Sequence, residues 1–120
     1  MRSYHLNIEV VLKSQMPVSS ICAKGGGFNG RRVGGYFQVL GCTAVTFEDV
    51  RNLLVRHVKE EPFLIGYEDV IDEIAVDDIE ELRPDEVKKF MQENYGLKAL
   101  LKDPLEEGIW YESGHGFYYA

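Results

Sequence analysis

The stretch Tyr4-His5-Leu6-Asn7-Ile8-Glu9-Val10-Val11-Leu12-Lys13 decides the fold class, because apolar and polar side chains alternate along most of it. A period of two places alternate residues on opposite sides of an extended chain, which is typical of a strand with one buried face. We therefore predict a half-buried β-strand. Its apolar face holds Leu6, Ile8, Val10 and Leu12, and its polar face holds His5, Asn7, Glu9 and Lys13.

Downstream of this strand, the pattern predicts a second strand and a helix. Residues 36–45 are rich in β-branched and aromatic side chains, which favours a strand. Thr46 with Asp49 three positions later resembles a capping box with the shorter acid, and apolar residues then recur at helical spacing. We expect a helix over about residues 47–60 that packs on the sheet and ends before Pro62. Its apolar residues are Val50, Leu53, Leu54 and Val58.

The second half predicts one more strand, one more helix and a terminal hairpin. Alternation of Ile74 and Val76 with charged residues favours a strand around residues 71–79. Pro84 opens a helix with Val87, Phe90 and Met91 on its apolar face, ended near Gly96 and followed by short helical turns over 97–101. Residues 109–113 and 117–120 read as a β-hairpin joined by Gly114-His115-Gly116.

This order of elements predicts a single α+β domain over residues 1–120. A chain of 120 residues is long enough to bury one hydrophobic core without metals or disulfides. The order β-β-α-β-α-β-β predicts a mostly antiparallel sheet with two main helices packed on one face. A ferredoxin-like centre is one topology that fits this order.

Composition narrows the function classes. A formal net charge of −7 argues against a nucleic-acid binder, because phosphate neutralisation needs clustered Lys and Arg, and it favours a basic partner. No apolar run is long enough to span a bilayer and no signal-peptide region precedes the first strand, so we expect a cytoplasmic protein with no membrane association. In that compartment Cys22 and Cys42 would remain thiols.

A glycine-rich basic loop over residues 24–35 contains the pattern G-x-G-x-x-G, which in dinucleotide-binding folds lies between a strand and a helix. Here polar residues precede the pattern and the residues after it do not open a helix, so we expect no dinucleotide cofactor. Backbone N–H groups of such loops can still bind anions. Arg31 and Arg32 are therefore candidate anion-binding residues, with a mobile connecting loop as the alternative.

Catalytic and metal-binding patterns are absent from the sequence. A cysteine nucleophile would need Cys22 or Cys42 to meet a histidine and an orienting carboxylate, and no local signature connects them. The spacing of Cys and His fits no structural zinc site, and the calcium-loop pattern is missing. We therefore expect no enzyme activity, no cofactor and no metal.

The acidic segment over residues 60–86 is the strongest functional signal, because it holds twelve carboxylates and a single Lys or Arg, at Arg83. Acidic surfaces steer basic partners, and Trp and Tyr anchor interfaces once the surfaces meet. A solvated acidic face without a partner is the alternative. The residues that we expect to bind a partner are Glu68, Asp69, Asp72, Glu73, Asp77, Asp78, Trp110, Tyr111 and Tyr118.

In size, charge and layout the chain resembles the small acidic immunity proteins of bacterial polymorphic toxin systems. The acidic segment and the aromatic tail over residues 110–119 carry this resemblance. It implies a cytoplasmic inhibitor that occludes the active site of a basic, nuclease-like or other toxin domain. Two alternatives remain: a small ligand-binding domain or enzyme that closes the glycine-rich loop on an anionic ligand, and a self-associating structural subunit. The protein is expected to be a monomer or a homodimer.

Overall fold

The computed structural model describes residues 1–13, 33–64, 68–95 and 106–119. It contains five strands, two α-helices and one short 3₁₀ helix. The strands are β1 (Arg2–Leu12), β2 (Val33–Ala44), β3 (Ile71–Leu82), β4 (Gly108–Glu112) and β5 (Gly116–Tyr119). The helices are α1 (Phe47–Lys59), the 3₁₀ turn (Glu68–Val70) and α2 (Pro84–Tyr95). The predicted α+β class is confirmed.

The sheet is antiparallel throughout, and β1 lies at its centre. The strand order is β3-β1-β2, with β4 and β5 both on the far side of β2. β1 pairs with β2 from Arg2–Ala44 to Val11–Gly35, and with β3 over nearly the same length. Two irregularities interrupt the β1–β3 ladder, next to Asn7 and next to Val11. β3 is consequently an edge strand within the described part of the chain.

The hydrophobic core lies between this sheet and α1, as the alternation predicts. Leu6, Ile8, Val10 and Leu12 are at most 4% exposed, and Val50, Leu54 and Val58 of α1 pack into the same cluster. The capping box is confirmed: the backbone N–H of Asp49 donates to the Thr46 hydroxyl, and its carboxylate accepts from the Thr46 N–H, both at 3.2 Å. These two bonds satisfy donors that a bare helix start would leave unpaired.

The segment β2-α1-β3 forms a split β-α-β unit. Both strands run antiparallel to β1, so they are parallel to each other with β1 between them. This unit is the part of the fold that matches the expected ferredoxin-like centre.

The two helices lie on opposite faces of the sheet, so the prediction of both on one face is wrong. Leu6 faces α1, whereas its neighbour His5 points to the other side, where its ring lies 5.1 Å from that of Phe90 on α2. Phe90 also contacts Trp110 and Tyr111, at centroid distances of 5.9 and 4.8 Å. The polar residues of β1 indicated a solvated face, but aromatic side chains from distant segments cover one end of it.

α2 and the aromatic side chains form a second layer on the face of the sheet opposite α1. This layer depends on the close packing of Trp110 against Gly41. Gly41 pairs with His5 across the ladder, and the indole of Trp110 lies directly over it. A Cβ atom added to Gly41 would lie 2.6 Å from the ring, well inside van der Waals contact. Only glycine therefore lets the indole pack this close to the strand.

Both predicted C-terminal strands are present, connected through Gly114 and His115. Each runs antiparallel to β2: β4 pairs with Leu40–Thr43, and β5 pairs with Val33–Phe37. The two strands therefore follow one another along the same edge of β2. Ser113 bridges them to β2, since its hydroxyl accepts from the Val39 N–H at 2.9 Å.

Several predicted features lie outside the described residues. They are residues 24–32 of the glycine-rich loop, which include Arg31 and Arg32, together with Gly96 and the turns over 97–101. Residues 33–35, which we expected to belong to that loop, are the start of β2. Of the helices in the described ranges, none has the length and apolar character needed to cross a membrane.

Substitution of Gly41 with Ala tests the second layer. We expect G41A to lower the free energy of unfolding by about 1–3 kcal/mol, because the added methyl group displaces the Trp110 ring. The measurement is urea denaturation followed by circular dichroism. G114A is the matched control, since a Cβ atom at Gly114 meets nothing within 4 Å. Equal stability of G41A and G114A would contradict the packing described here.

Candidate functional site

The predicted acidic residues lie along the outermost strand. We call five exposed carboxylates of β3 the acidic edge; they are Asp72, Glu73, Asp77, Asp78 and Glu80. Glu81, also exposed on β3, is left out of this set because it lies next to Arg2. Asp69, in the 3₁₀ turn before the strand, is also exposed. The side chain of Glu68 is not among those that the structure describes. β3 pairs only with β1 among the described strands, so no other described strand bonds to the backbone donors and acceptors of its outer side.

An apolar groove runs beside the acidic edge, between β3 and α1. Large hydrophobic side chains are exposed along it: Phe47 is 66% exposed, Val76 44% and Ile79 40%. Asp72, Glu73 and Arg51 flank the apolar lining. That lining consists of Phe47, Val50, Leu54 and Val55 from α1 and of Ile71, Ile74, Val76 and Ile79 from β3.

Other acids of the predicted segment are held by local partners. Arg83 contacts Glu86 at 3.0 Å and Asp85 at 3.5 Å, and Glu81 lies 3.5 Å from Arg2. Glu86 also accepts the backbone N–H of Arg83, as a capping residue of α2. Besides the acidic edge, the segment therefore contains acids that lie next to arginines at the ends of β3 and α2.

Tyr118 is the predicted aromatic residue that the fold brings toward the acidic edge. It lies over Gly35 and reaches across the sheet face opposite α1, where its hydroxyl donates to Glu9 at 2.7 Å. Burial, this hydrogen bond and the nearby carboxylates of Asp77 and Glu73 raise the pKa of Tyr118 to about 12. The phenol therefore stays protonated at neutral pH.

Trp110 and Tyr111 are not part of this surface. Both are partly buried and pack against Phe90, at the opposite edge of the sheet from β3. Their main contacts hold α2 on the sheet. They lie apart from the acidic edge, and their binding to a partner stays a prediction.

A second group of chemically active side chains was not predicted. We call it the histidine–glutamate cluster; its members are His57, Glu61, Glu112 and His115. His57 lies in the last turn of α1, Glu61 just beyond the helix end, Glu112 at the end of β4 and His115 between β4 and β5. The fold thus gathers the end of one helix and the C-terminal strands around one point.

Glu61 is the centre of this cluster. It is 7% exposed, and its Oε1 atom lies 2.8 Å from His115 Nε2 and 3.3 Å from His57 Nε2. Burial alone would raise the pKa of Glu61, but the hydrogen bonds from His115 and His57 outweigh it and lower the pKa to about 2. The hydrogen bond to Glu61 in turn raises the pKa of His57, against the opposing effect of burial.

Aromatic rings enclose one side of the cluster. The His115 ring lies 5.0 Å from Tyr36 and 5.0 Å from Phe63, and it stacks on Phe117 at 5.6 Å. Burial and the charge of Glu61 raise the pKa of Tyr36. This wall reduces the access of water to the imidazole, which strengthens its electrostatic contact with the carboxylate.

The cluster also includes a set of atoms that can hold a metal ion. Within the described residues, the ligand atoms of His57, Glu61 and Glu112 all lie within 4.8 Å of one another. The sequence placed Glu61 in the acidic segment and His115 in the turn between the C-terminal strands, and it did not connect either residue with His57. The only local signal was the i,i+4 spacing of His57 and Glu61, since His115 is 54 positions from Glu61.

Comparison of the chain with models of protein families, with curated proteins and with solved structures finds no match. Function is therefore inferred from the side chains described above.

The pH dependence of stability tests the buried carboxylate. The contribution of Glu61 is complete above its ordinary pKa of 4.5 and is lost as the pH falls toward 2. The contribution of His57 is complete below its ordinary pKa of 6.5 and is lost as the pH rises through its higher folded value. We expect E61Q to lower the free energy of unfolding by about 1–3 kcal/mol, with the largest effect between pH 4.5 and 6.5.

Urea denaturation at several pH values in a chelating buffer measures this difference. E60Q is the matched control, because Glu60 is the adjacent carboxylate and is exposed. Parallel pH profiles for E61Q and the unmodified protein would show that the Glu61 contacts do not contribute to stability.

Proposed function

We propose that the protein is a cytoplasmic binding protein that inhibits a basic protein domain, in the manner of an immunity protein acting on a toxin. The basic domain docks along β3, where backbone groups of the partner pair with the open edge and its cationic side chains meet the acidic edge. The carboxylates take the place of an anionic substrate, so that the bound protein covers the partner's active site.

One observation carries this proposal: the acidic edge and an exposed apolar groove lie side by side on the same strand. Val76 and Ile79 are exposed in the groove, while Asp77 and Asp78 stand between them in the sequence. Apolar contacts supply the free energy of a protein interface, and charges set the choice of partner and the association rate. Addition of a strand to an open sheet edge is a common way to combine the two.

Simple protection of the edge does not account for this combination. Charged residues on an edge strand prevent unwanted pairing, but an exposed apolar stripe beside them works against that protection. Pairing of β3 with the β3 strand of a second copy would bring carboxylates opposite carboxylates, which is repulsive. A basic partner satisfies both the charges and the groove, so we favour it over a homodimer.

The experiment compares two charge-matched variants. The edge variant carries D72N, E73Q, D77N and D78N. The control variant carries E48Q, E60Q, E93Q and E107Q, which remove the same number of exposed carboxylates elsewhere. Each protein is immobilised, exposed at low salt to lysate of cells that naturally express the chain, and eluted with a salt step for mass spectrometry.

We expect the unmodified protein and the control variant to retain the same basic protein, and the edge variant to lose it. With the purified partner, affinity should fall as salt rises, because screening weakens the attraction between exposed charges. The partner's own activity should fall on addition of one equivalent of the protein. Equal capture by both variants, or the same affinity at low and high salt, would contradict the proposal.

A further inference from the structure

One nitrogen atom in the histidine–glutamate cluster faces three oxygen atoms. His57 Nε2 lies 3.3 Å from Glu61 Oε1, 3.4 Å from Glu112 Oε2 and 3.3 Å from Gln38 Oε1. An imidazole nitrogen carries at most one proton, so it can donate one good hydrogen bond. All three distances are slightly longer than the usual range of about 2.7–3.2 Å for an N–H···O bond, so even the hydrogen bond to Glu61 is a long one. Hydrogen bonding therefore does not explain the convergence of all three oxygens.

A cation bound between these side chains explains why the oxygen atoms converge on His57 Nε2. Zinc lies about 2.0–2.2 Å from imidazole nitrogen and carboxylate oxygen, and it is usually tetrahedral. Two ligands of such a tetrahedron are separated by about 3.3 Å, from the same bond lengths. The distances from His57 Nε2 to Glu61 and Glu112 match this separation.

The charges of the cluster also favour a bound cation. Two carboxylates approach one imidazole, and the side chain of Glu61 is only 9% exposed. His115 contacts the Glu61 carboxylate, and a divalent cation between the two glutamates would neutralise the remaining negative charge.

We propose that His57, Glu61 and Glu112 bind a divalent transition metal of the zinc class. His57 contributes Nε2, and each glutamate contributes a carboxylate oxygen. The imidazole ligand selects zinc or a related ion over magnesium and calcium, which prefer all-oxygen sites.

The neighbouring side chains fit the role of supporting groups. His115 Nε2 lies 2.8 Å from Glu61 Oε1 and holds that carboxylate in place. The Gln38 amide donates to the Ser113 carbonyl at 2.8 Å, which places its own oxygen 3.3 Å from His57 Nε2, on the side where the ion would lie. Such hydrogen bonds orient ligands at metal sites and tune their affinity.

Metal binding at this point would join parts of the chain that are distant in sequence. His57 and Glu61 belong to the end of α1, and Glu112 ends β4 on the far side of β2. Because the three ligands come together only in the folded chain, the binding free energy adds to the stability of the fold. The site is separate from the acidic edge, so its loss and the loss of partner binding can be distinguished.

The test uses chelator-treated full-length protein titrated with Zn²⁺ by isothermal calorimetry, with thermal denaturation measured in parallel. Co²⁺ serves as a second probe, because its visible absorption spectrum reports tetrahedral coordination. E112Q is the decisive variant, since Glu112 is 60% exposed and its replacement leaves the buried contacts in place. E60Q is the control for general electrostatic attraction, because Glu60 is exposed next to Glu61.

We expect one Zn²⁺ per chain and a higher denaturation temperature on its addition. E112Q should bind at least tenfold more weakly, whereas E60Q should bind within about twofold of the unmodified protein. H115N should lower the affinity for Zn²⁺ about tenfold, which is typical when a group that orients a metal ligand is replaced. H57Q should lose binding, and circular dichroism checks that it remains folded.

Failure of Zn²⁺ and Co²⁺ to bind at submillimolar concentration would overturn the proposal. So would equal losses in E112Q and E60Q, because they would indicate diffuse attraction to an acidic surface. A Co²⁺ spectrum without tetrahedral features would contradict the proposed coordination, even if the ion were bound.

Discussion

Pairing of β1 along both of its sides is the constraint on which the rest of the structure depends. β2 and β3 are joined through α1, yet they are separated in the sheet because β1 occupies the position between them. The same arrangement leaves β3 at the outside, where its carboxylates stay in solvent. Two carboxylates directly across a ladder repel each other, so a strand this acidic is best tolerated at an edge.

The two faces of the sheet are used differently. α1 seals one face with aliphatic packing and leaves a groove over the outer strand. The other face is covered at one end by α2 and the aromatic tail, while Tyr118 lies on the open end beside Glu9. The buried Glu61 and the partly buried His115 then connect the end of α1 to the C-terminal strands. The proposed partner surface on β3 and the histidine–glutamate cluster thus lie on different parts of the described structure.

Local patterns predicted the strands, the helix cap and the core residues of β1 and α1, because alternation and helical spacing report directly on a buried face. The placement of α2 was not predictable in this way. It depends on the contact of Phe90 with His5 and on the space over Gly41, and both arise from pairing between segments far apart in sequence. The histidine–glutamate cluster was missed for the same reason. His115 belongs to no sequence motif, and nothing in the sequence separates Glu61 from the exposed acidic residues near it.

The measurement that tests the open edge most directly is amide hydrogen exchange by NMR on the protein without a partner. Amides of β1 should be protected along the whole strand, whereas protection in β3 should alternate, since only the amides that face β1 are hydrogen-bonded. Uniform protection along β3 would mean that its outer side is already covered, and the edge could not receive a basic partner. A repeat at several protein concentrations would then show whether a second copy covers it.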